Sequence, residues 1–280
     1  MPVVPVDAAG GGAGGAAGGA APGDAPGEAD EGEALAQAVR ATNPTLGYLM
    51  PDFQNPTGRS LTASARERLV DAAARQGTVL IADETTAELD IDRPGGPYPP
   101  LAAFGPAVLV GSLGKLAWGG VRIGWIRADP ALIARLVAAR SPGDLGTPVF
   151  EQLLAVQLLE RHDDAVALRR TRLAAGRALV EELLAASFPS WRVPHVDGGI
   201  ATWVHLGAPV SSQLALAARA RGLLIAAGPR FGVDGAFERH LRMPICQSED
   251  ETREAVRLLE LAWASLGDVG AVEPGFAALV

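Results

Sequence analysis

The 280-residue sequence lacks the features that mark several classes of protein. Its single cysteine, Cys246, excludes an intrachain disulfide and a cysteine metal cluster. There is no apolar run of roughly 18 residues, so no membrane span is predicted. The opening MPVVPVDAAG lacks the basic and long apolar regions of a signal peptide. A formal net charge of −8 argues against direct nucleic-acid binding. These absences predict a cytoplasmic protein that contacts neither membrane nor nucleic acid directly.

The composition that is present predicts a globular protein with a different N-terminal segment. Hydrophobic residues make up 48% of the chain, which is enough for one large domain or two of ordinary size. Residues 8–33 hold mostly Ala, Gly, Pro, Asp and Glu, with no large apolar residue. Such a segment cannot bury enough apolar surface to offset its ordering entropy. Residues 1–33 are therefore predicted to form a short strand, VVPV at 3–6, followed by a disordered acidic tract.

From residue 34 the pattern is typical of an α/β layer. Helical patterns at EALAQAVRAT and TASARERLVDAAARQG alternate with short apolar runs at LGYLMP, TVLIADE and AVLVGSLGK. Gly77 is predicted to end the second helix, and VRIGWIRA is predicted to be an antiparallel or edge strand. This alternation favours a mostly parallel sheet with helices on both faces, which we assign to residues 34–150.

A smaller α+β domain is predicted over residues 151–270, followed by a tail at 271–280. It begins with a long charged helix, HDDAVALRRTRLAAGRALVEELLAA. Strands at GGIATWVHL, LLIAAG and HLRMPI and a helix at SSQLALAARARG follow. The last helix, SEDETREAVRLLELAWASL, opens with a capping box of Ser248 and Glu251.

A lone lysine lies among glycines and apolar residues in GSLGKLAWGGVRIGW, residues 111–125. A phosphate-binding P-loop is rejected, because Leu109 and Leu116 stand where its first glycine and its hydroxyl belong. The Gly-x-Gly-x-x-Gly match at 10–15 is rejected as a dinucleotide site, because no helix pattern follows it. The four histidines show no metal-ligand spacing, so no metal site is predicted.

The amine of such a lysine can form a Schiff base with an aldehyde cofactor or substrate. This chemistry also needs an acid that protonates a pyridine nitrogen, a donor to a phenolic oxygen, and groups that bind a phosphate and a substrate carboxylate. The sequence offers candidates in order: Asn55, Asp83, Ser112, Arg122 and Arg242. Each also has an ordinary interpretation by itself. The acid could cap a helix or lie at the surface, the NPTG sequence suits any turn, and the arginines could form surface ion pairs.

Four motifs occur together in the order PDFQNPTG, IADETTAEL, GSLGKLAWGGVRIGW and LRMPI. Over about residues 34–268 the chain resembles the fold-type I pyridoxal-phosphate-dependent enzymes of aminotransferase class I and II. It resembles in particular the aminotransferase-like domain of MocR (GntR-type) transcriptional regulators, which follows a winged-helix DNA-binding domain. The resemblance implies pyridoxal 5'-phosphate as cofactor, an amino acid or other carboxylate-bearing amine as substrate, and a homodimer.

The resemblance also implies a role for each candidate residue. Lys115 would be the catalytic Schiff-base lysine, and Asp83 would pair with the pyridine nitrogen. Asn55 would contact the phenolic oxygen and the substrate, and Ser112 and Arg122 would bind the phosphate. Arg242 would bind the substrate carboxylate through a bidentate fork.

The chain departs from the family pattern at three places. Thr86 stands where the family has a tyrosine and would be a shorter donor to the phenolic oxygen, and Gly114 stands where a serine often precedes the lysine. The run VVPVD at 3–7 resembles a strand that the family places well inside the cofactor domain. We therefore expect a truncated chain (a fragment, a mis-called start or a degenerate gene) without a phosphate loop, a ring-stacking aromatic or a winged helix. Missing strands would leave an exposed sheet edge, so weak or absent cofactor binding is expected.

The pattern leaves three functions open. The first is transamination of an amino acid through a Schiff base on Lys115. The second is a sensing domain that binds cofactor and an amine without turnover and reports to a DNA-binding partner. The third is a remnant that binds nothing.

Overall fold

The computed structural model describes residues 28–140 and 142–267. The strand predicted at 3–6, the part of the disordered tract before residue 28 and the tail at 271–280 lie outside the described residues. The chain divides into two units. The first contains the residues up to Asn55 together with Arg59–Thr171 and Asp197–Gly199, and the second contains Pro56–Gly58, Arg172–Val196 and the residues from Ile200 onward. The division falls inside a continuous helix, whereas the predicted boundary lay after residue 150.

The first unit contains a four-stranded sheet in the order β1-β2-β3-β4. Strands β1 to β3 are parallel, and β4 pairs antiparallel with β3 at the edge, which confirms the prediction for VRIGWIRA. Its elements are α1 (Glu28–Thr42), β1 (Leu46–Leu49), α2 (Ala63–Gln76), β2 (Val79–Asp83), β3 (Val108–Ser112), α3 (Leu113–Leu116), β4 (Gly124–Arg127), α4 (Pro130–Arg140), α5 (Val149–Glu160) and the start of α6 (His162–Ser187).

Helix α1 begins at Glu28, within the tract that the sequence predicts to be disordered up to residue 33. The reason is a tertiary contact with α2. A Cβ atom at Gly32 would lie 2.4 Å from the Cβ of Ala65, so the glycine lets the two helices approach closely. The side chain of Glu31 is buried and forms an ion pair with Arg59 at 3.2 Å. Composition alone does not reveal these contacts.

Helices α1 and α2 pack on one face of the sheet and bury the main apolar core of the unit. Helix α2 starts at the Thr62 cap and ends at Gly77, whose φ of 69° is the left-handed conformation predicted for a helix stop. On the opposite face Tyr48 is 62% exposed and Val79 is 46% exposed. The α/β class with a mostly parallel sheet is confirmed. The strands alternate between buried and exposed positions because α1 and α2 lie against one face only.

The second unit is an α+β structure around an antiparallel sheet in the order β5-β7-β6. Its elements after α6 are β5 (Ala201–His205), α7 (Ser211–Arg219), β6 (Ala226–Ala227), β7 (His240–Pro244) and α8 (Glu249–Ala264). The predicted capping box of Ser248 and Glu251 is confirmed at the start of α8. The strand predicted at LLIAAG shrinks to two residues, because only Ala226 and Ala227 reach a partner on β7.

Helices α4 and α5 expose apolar side chains to an unusual degree. Phe150 is 75% exposed, and several aliphatic residues are exposed as well: Val137, Val149, Leu153, Val156 and Leu159. Helix α4 has no buried residue, and α5 buries only Ala155. Among the helices of the described residues, none has both the length and the apolarity needed to cross a bilayer.

Candidate active site

The loop that carries Asn55 is closed by main-chain hydrogen bonds. The N–H of Leu61 donates to the carbonyl of Pro51 at 2.8 Å, and the N–H of Gln54 donates to the carbonyl of Arg59 at 2.8 Å. These bonds close the PDFQNPTG sequence into a tight loop after β1 and leave Asn55 exposed. The loop is the turn that its Pro, Asn and Gly content predicts.

A buried ion cluster fixes the base of this loop. The guanidinium of Arg66 is fully buried and donates to Asp52 Oδ1 at 2.7 Å and to the carbonyl of Pro51 at 3.1 Å. Arg93 donates to the same Asp52 oxygen at 2.7 Å and stacks over the ring of Phe53 at 4.3 Å. Because two cations meet one buried carboxylate, the loop start is held by charge-assisted hydrogen bonds.

Asp83 ends β2, and neighbouring elements surround its carboxylate with donors. The hydroxyl of Tyr48 on β1 donates to Oδ2 at 2.5 Å. The backbone N–H and the hydroxyl of Thr85 both donate to Oδ1, at 3.0 and 2.6 Å. Burial raises the pKa of Asp83, but the hydrogen bonds from Thr85 and Tyr48 and the charge of Lys115 outweigh burial and lower it below its usual value. The acid is therefore a carboxylate at neutral pH.

The Tyr48 phenol responds to the same contact in the opposite direction. Burial, the hydrogen bond to Asp83 and the negative charge of that residue raise the pKa of Tyr48 to about 12. The phenol therefore stays protonated and remains a donor throughout the neutral range.

Lys115 lies on the short helix α3, and its amine reaches the same group of residues. Its Nζ donates to Thr85 Oγ1 at 2.6 Å, and Thr85 Oγ1 donates to Asp83 Oδ1 at 2.6 Å. One hydroxyl therefore separates the only lysine of the chain from the carboxylate at the end of β2. This arrangement holds an amine next to a carboxylate and can move a proton along the Lys115–Thr85–Asp83 chain.

The sequence motifs do not indicate two residues of this group. They point to Thr86 and not to Thr85, and they indicate Tyr48 only as part of a strand. A usable signal existed for Tyr48, because side chains at the carboxyl ends of adjacent parallel strands lie at one edge of the sheet. For Thr85 no such signal existed, because the conformation of the turn after Asp83 decides which threonine faces the carboxylate.

Thr86, predicted as a donor to the cofactor, lies elsewhere. Its side chain is fully buried, and its hydroxyl donates to the carbonyl of Asp52 at 2.8 Å. The physical reason is the turn after β2, which directs successive side chains to opposite sides. The hydroxyl that approaches Asp83 belongs to Thr85 instead.

Ser112 and Arg122 lie at the two ends of the segment around Lys115. The Ser112 hydroxyl accepts from the N–H of Gly114 and donates to the carbonyl of Ile123, both at 3.0 Å, so it caps α3. Arg122 is exposed, adopts the left-handed conformation with φ of 50°, and donates to the carbonyl of Gly119 at 3.5 Å. Their predicted phosphate role remains a prediction.

Arg242 belongs to the second unit, where it lies in the middle of β7 opposite Trp203 of β5. Its guanidinium is half-buried, and burial lowers its pKa while Cys246 opposes this effect. A partly desolvated guanidinium binds a planar carboxylate more strongly than one in water.

Comparison with known proteins assigns the family. A sequence model of aminotransferase class I and II matches residues 33–259. The chain is 28% identical over 223 residues to aromatic-amino-acid aminotransferase 1 of Thermococcus litoralis, covering 76% of this chain and 52% of that protein. It is 26% identical over 230 residues to the uncharacterized HTH-type transcriptional regulator YisV of Bacillus subtilis, covering 79% and 43%.

A solved structure shows the same fold. It is LysN, the α-aminoadipate aminotransferase of Thermus thermophilus, in complex with N-(5'-phosphopyridoxyl)-L-leucine. Its TM-score is 0.76 at 27% identity, with 84% of this chain and 62% of that chain covered. The chain therefore spans about half the length of the curated relatives named here and about three fifths of that structure.

Proposed function

Because this chain belongs to the aminotransferase class I and II family, we propose that it is a pyridoxal-phosphate-dependent aminotransferase-like protein that uses Lys115 to transfer the amino group of an amino acid. The observation that carries this proposal is the contact between Lys115 and Asp83 through one hydroxyl, at 2.6 Å on either side. An amine and a carboxylate that face the same edge of the sheet are the two groups that this chemistry requires.

The residues of the first unit fit the cofactor. When bound, pyridoxal phosphate supplies an aldehyde that a lysine amine can attack and a pyridinium ring that withdraws electrons. Lys115 would hold the aldehyde end, and Asp83 would hold the ring nitrogen. Ser112 and Arg122 would contact the phosphate, and Asn55 the phenolic oxygen. The fit rests on the low pKa of Asp83, since only a carboxylate keeps the ring nitrogen protonated.

The substrate proposed is an amino acid. Lys115 in the first unit offers the base that removes a proton next to the amino group. The carboxylate-binding role of Arg242 in the second unit stays a prediction. The relatives named above are consistent with this class, since one is an aromatic-amino-acid aminotransferase and another an α-aminoadipate aminotransferase.

We further propose that the protein works as a homodimer. The exposed apolar side chains of α4 and α5, with Phe150 the most prominent of them, form a surface that a second copy would cover. Light scattering of the purified chain should give twice the mass of one chain, and Phe150→Glu should lower that mass by about half. A monomer at all concentrations would contradict the dimer.

The central test is a covalent trap at Lys115. The chain is mixed with pyridoxal phosphate, reduced with borohydride and digested, and the mass increase is located by mass spectrometry. The urea-unfolded chain is the control for accidental reaction. We expect more adduct at Lys115 in the folded chain than in the unfolded one, and none in Lys115→Ala. Equal labelling in the two states would overturn the proposal.

A second measurement addresses how strongly this chain holds the cofactor. Of the two residues predicted to bind the phosphate, Ser112 already uses its hydroxyl in two hydrogen bonds within the chain. We therefore expect weak binding by this chain alone. A persistent visible absorbance band after gel filtration, lost in Lys115→Ala, would show that binding is strong.

The similarity to the regulator YisV favours a second function, a sensing domain without turnover. Steady-state conversion of an amino acid and a keto acid distinguishes the two. Turnover supports the aminotransferase, whereas a spectral change on adding an amino acid without product supports the sensor.

A further inference from the structure

We propose that Thr85 is a positioning residue that keeps the amine of Lys115 protonated and directed at Asp83 until an aldehyde reaches it. This inference rests on the function proposed for Lys115, but it concerns the chain without a bound cofactor. It assigns a role to a hydroxyl that the sequence motifs do not single out.

The direction of the hydrogen bonds carries the argument. A threonine hydroxyl has one proton to donate and two lone pairs that accept. The Thr85 hydroxyl donates its proton to Asp83 Oδ1 at 2.6 Å, and the backbone N–H of Thr85 donates to the same oxygen at 3.0 Å. Toward Lys115 the hydroxyl can therefore only accept, and the 2.6 Å contact is an N–H of the lysine donating to oxygen.

The surrounding contacts fix the Asp83 carboxylate and polarise this hydroxyl. Oδ2 accepts from Tyr48 at 2.5 Å, so both carboxylate oxygens are held and the group cannot rotate away. The carboxylate draws the Thr85 proton toward itself, which makes Thr85 Oγ1 a better acceptor for a positive donor. An ammonium gains more from such an acceptor than a neutral amine does. Thr85 thus favours the charged form of Lys115.

The consequence is a lower reactivity of the Lys115 amine. Only the unprotonated amine attacks an aldehyde, so a hydroxyl that stabilises the ammonium lowers the reactive fraction at neutral pH as long as no cofactor is bound. Removing the hydroxyl while keeping the shape of the side chain should raise that fraction. The titratable groups that face Lys115 through this contact are Asp83 on β2 and Tyr48 on β1.

The experiment measures the free amine without any cofactor. The full chain is labelled with trace acetic anhydride across a range of pH, and the acetylated fraction of Lys115 is read by mass spectrometry against an added reference peptide with a single lysine. Lys115 is the only lysine, so the signal has one source. We expect Thr85→Val to shift the labelling midpoint of Lys115 to lower pH and to raise labelling at neutral pH roughly three- to tenfold.

Two variants separate this role from a structural one. Thr85→Ser keeps the hydroxyl and should follow the wild-type profile. Thr171→Val removes a threonine hydroxyl on α6 that donates to the carbonyl of Ala167, and it should leave the profile unchanged. Circular dichroism confirms that each variant is folded. A folded Thr85→Val with the wild-type profile overturns the proposal.

A final arm distinguishes the two proposals. The same variants are trapped with pyridoxal phosphate and borohydride. If the anhydride profile shifts but no cofactor adduct forms in any variant, the role of Thr85 stands and the proposed function fails. If the adduct forms at Lys115 with an unchanged anhydride profile, the function stands and the role of Thr85 fails.

Discussion

Two aspartates in the first unit show how burial and partner type separate a structural acid from a chemical one. Asp52 is 3% exposed and accepts from two guanidinium groups, Arg66 and Arg93, through the same oxygen. Asp83 is half-buried, and the direct donors to its side chain are a phenol, a threonine hydroxyl and a backbone N–H. Its cation, Lys115, is held one hydroxyl away.

The partners of each carboxylate limit what that carboxylate can do. A carboxylate locked between buried cations cannot exchange partners without leaving a charge unpaired in the interior, so Asp52 stabilises the loop and nothing more. A carboxylate with neutral donors at a half-exposed sheet edge can exchange a partner at modest cost. Asp83 is therefore the carboxylate of the pair whose partners can be exchanged, as its proposed role toward the cofactor requires.

The largest expected loss of stability follows from removing the buried carboxylate, that of Asp52. Asp52→Ala leaves Arg66 and Arg93 without their common carboxylate and should lower the free energy of unfolding by about 3–5 kcal/mol. Denaturant unfolding followed by circular dichroism measures it. Asp71→Ala is the matched control, because it removes only a solvent-exposed ion pair with Arg75 and should lower stability far less. Equal losses in the two variants would argue against the buried cluster.

The same substitution at Asp83 is expected to cost much less stability than at Asp52. Asp83→Ala should lower the free energy of unfolding at neutral pH by about 1 kcal/mol or less, since solvent screens a half-exposed group. The same denaturant series measures this loss. The comparison fails if Asp83→Ala is as damaging as Asp52→Ala.

Protonation of Asp83 should contribute to the loss of stability at acidic pH. Its pKa is lower in the folded chain than its ordinary value of 3.8, so its contribution is present above that value and is lost as the pH falls through the lower folded pKa. We expect Asp83→Asn to lose less free energy of unfolding than the wild type as the pH falls. The difference should be a fraction of 1 kcal/mol, because the side chain is half-exposed and solvent screens it. Denaturant unfolding curves of both proteins from pH 7 to pH 3 would show this difference. An identical loss of stability in the two proteins would contradict the assignment.

The smallest expected effect lies at the start of α6. His162 contacts Glu88 at 2.7 Å and Asp163 at 3.3 Å, and although burial lowers its pKa, these two acids raise it above its ordinary value of 6.5. Its stabilisation is full below 6.5 and is lost as the pH rises through the higher folded pKa. His162→Gln should therefore cost a few tenths of a kcal/mol at pH 5.5 and nothing at pH 9. A loss that is independent of pH would contradict this.

Much of the architecture was predictable because it depends on neighbours in the chain. The stop of α2 at Gly77, the capping box at Ser248 and the edge position of VRIGWIRA follow from local chemistry and alternation. The start of α1 was not predictable, since the close approach of Gly32 to Ala65 orders residues whose composition indicates disorder. The strand at LLIAAG was overestimated, because its length depends on the reach of β7.

Residue type and order were enough to predict the family and the α/β class, and they indicated Lys115 and Asp83 as candidate site residues. Which hydroxyl lies between Lys115 and Asp83 depends on tertiary packing. The register of β1 on β2 places Tyr48 at Asp83 Oδ2, and the turn after β2 directs Thr85 toward Lys115 while it buries Thr86 against Asp52. Side-chain direction in a turn and strand register are set by packing between distant segments, which a list of residues does not contain.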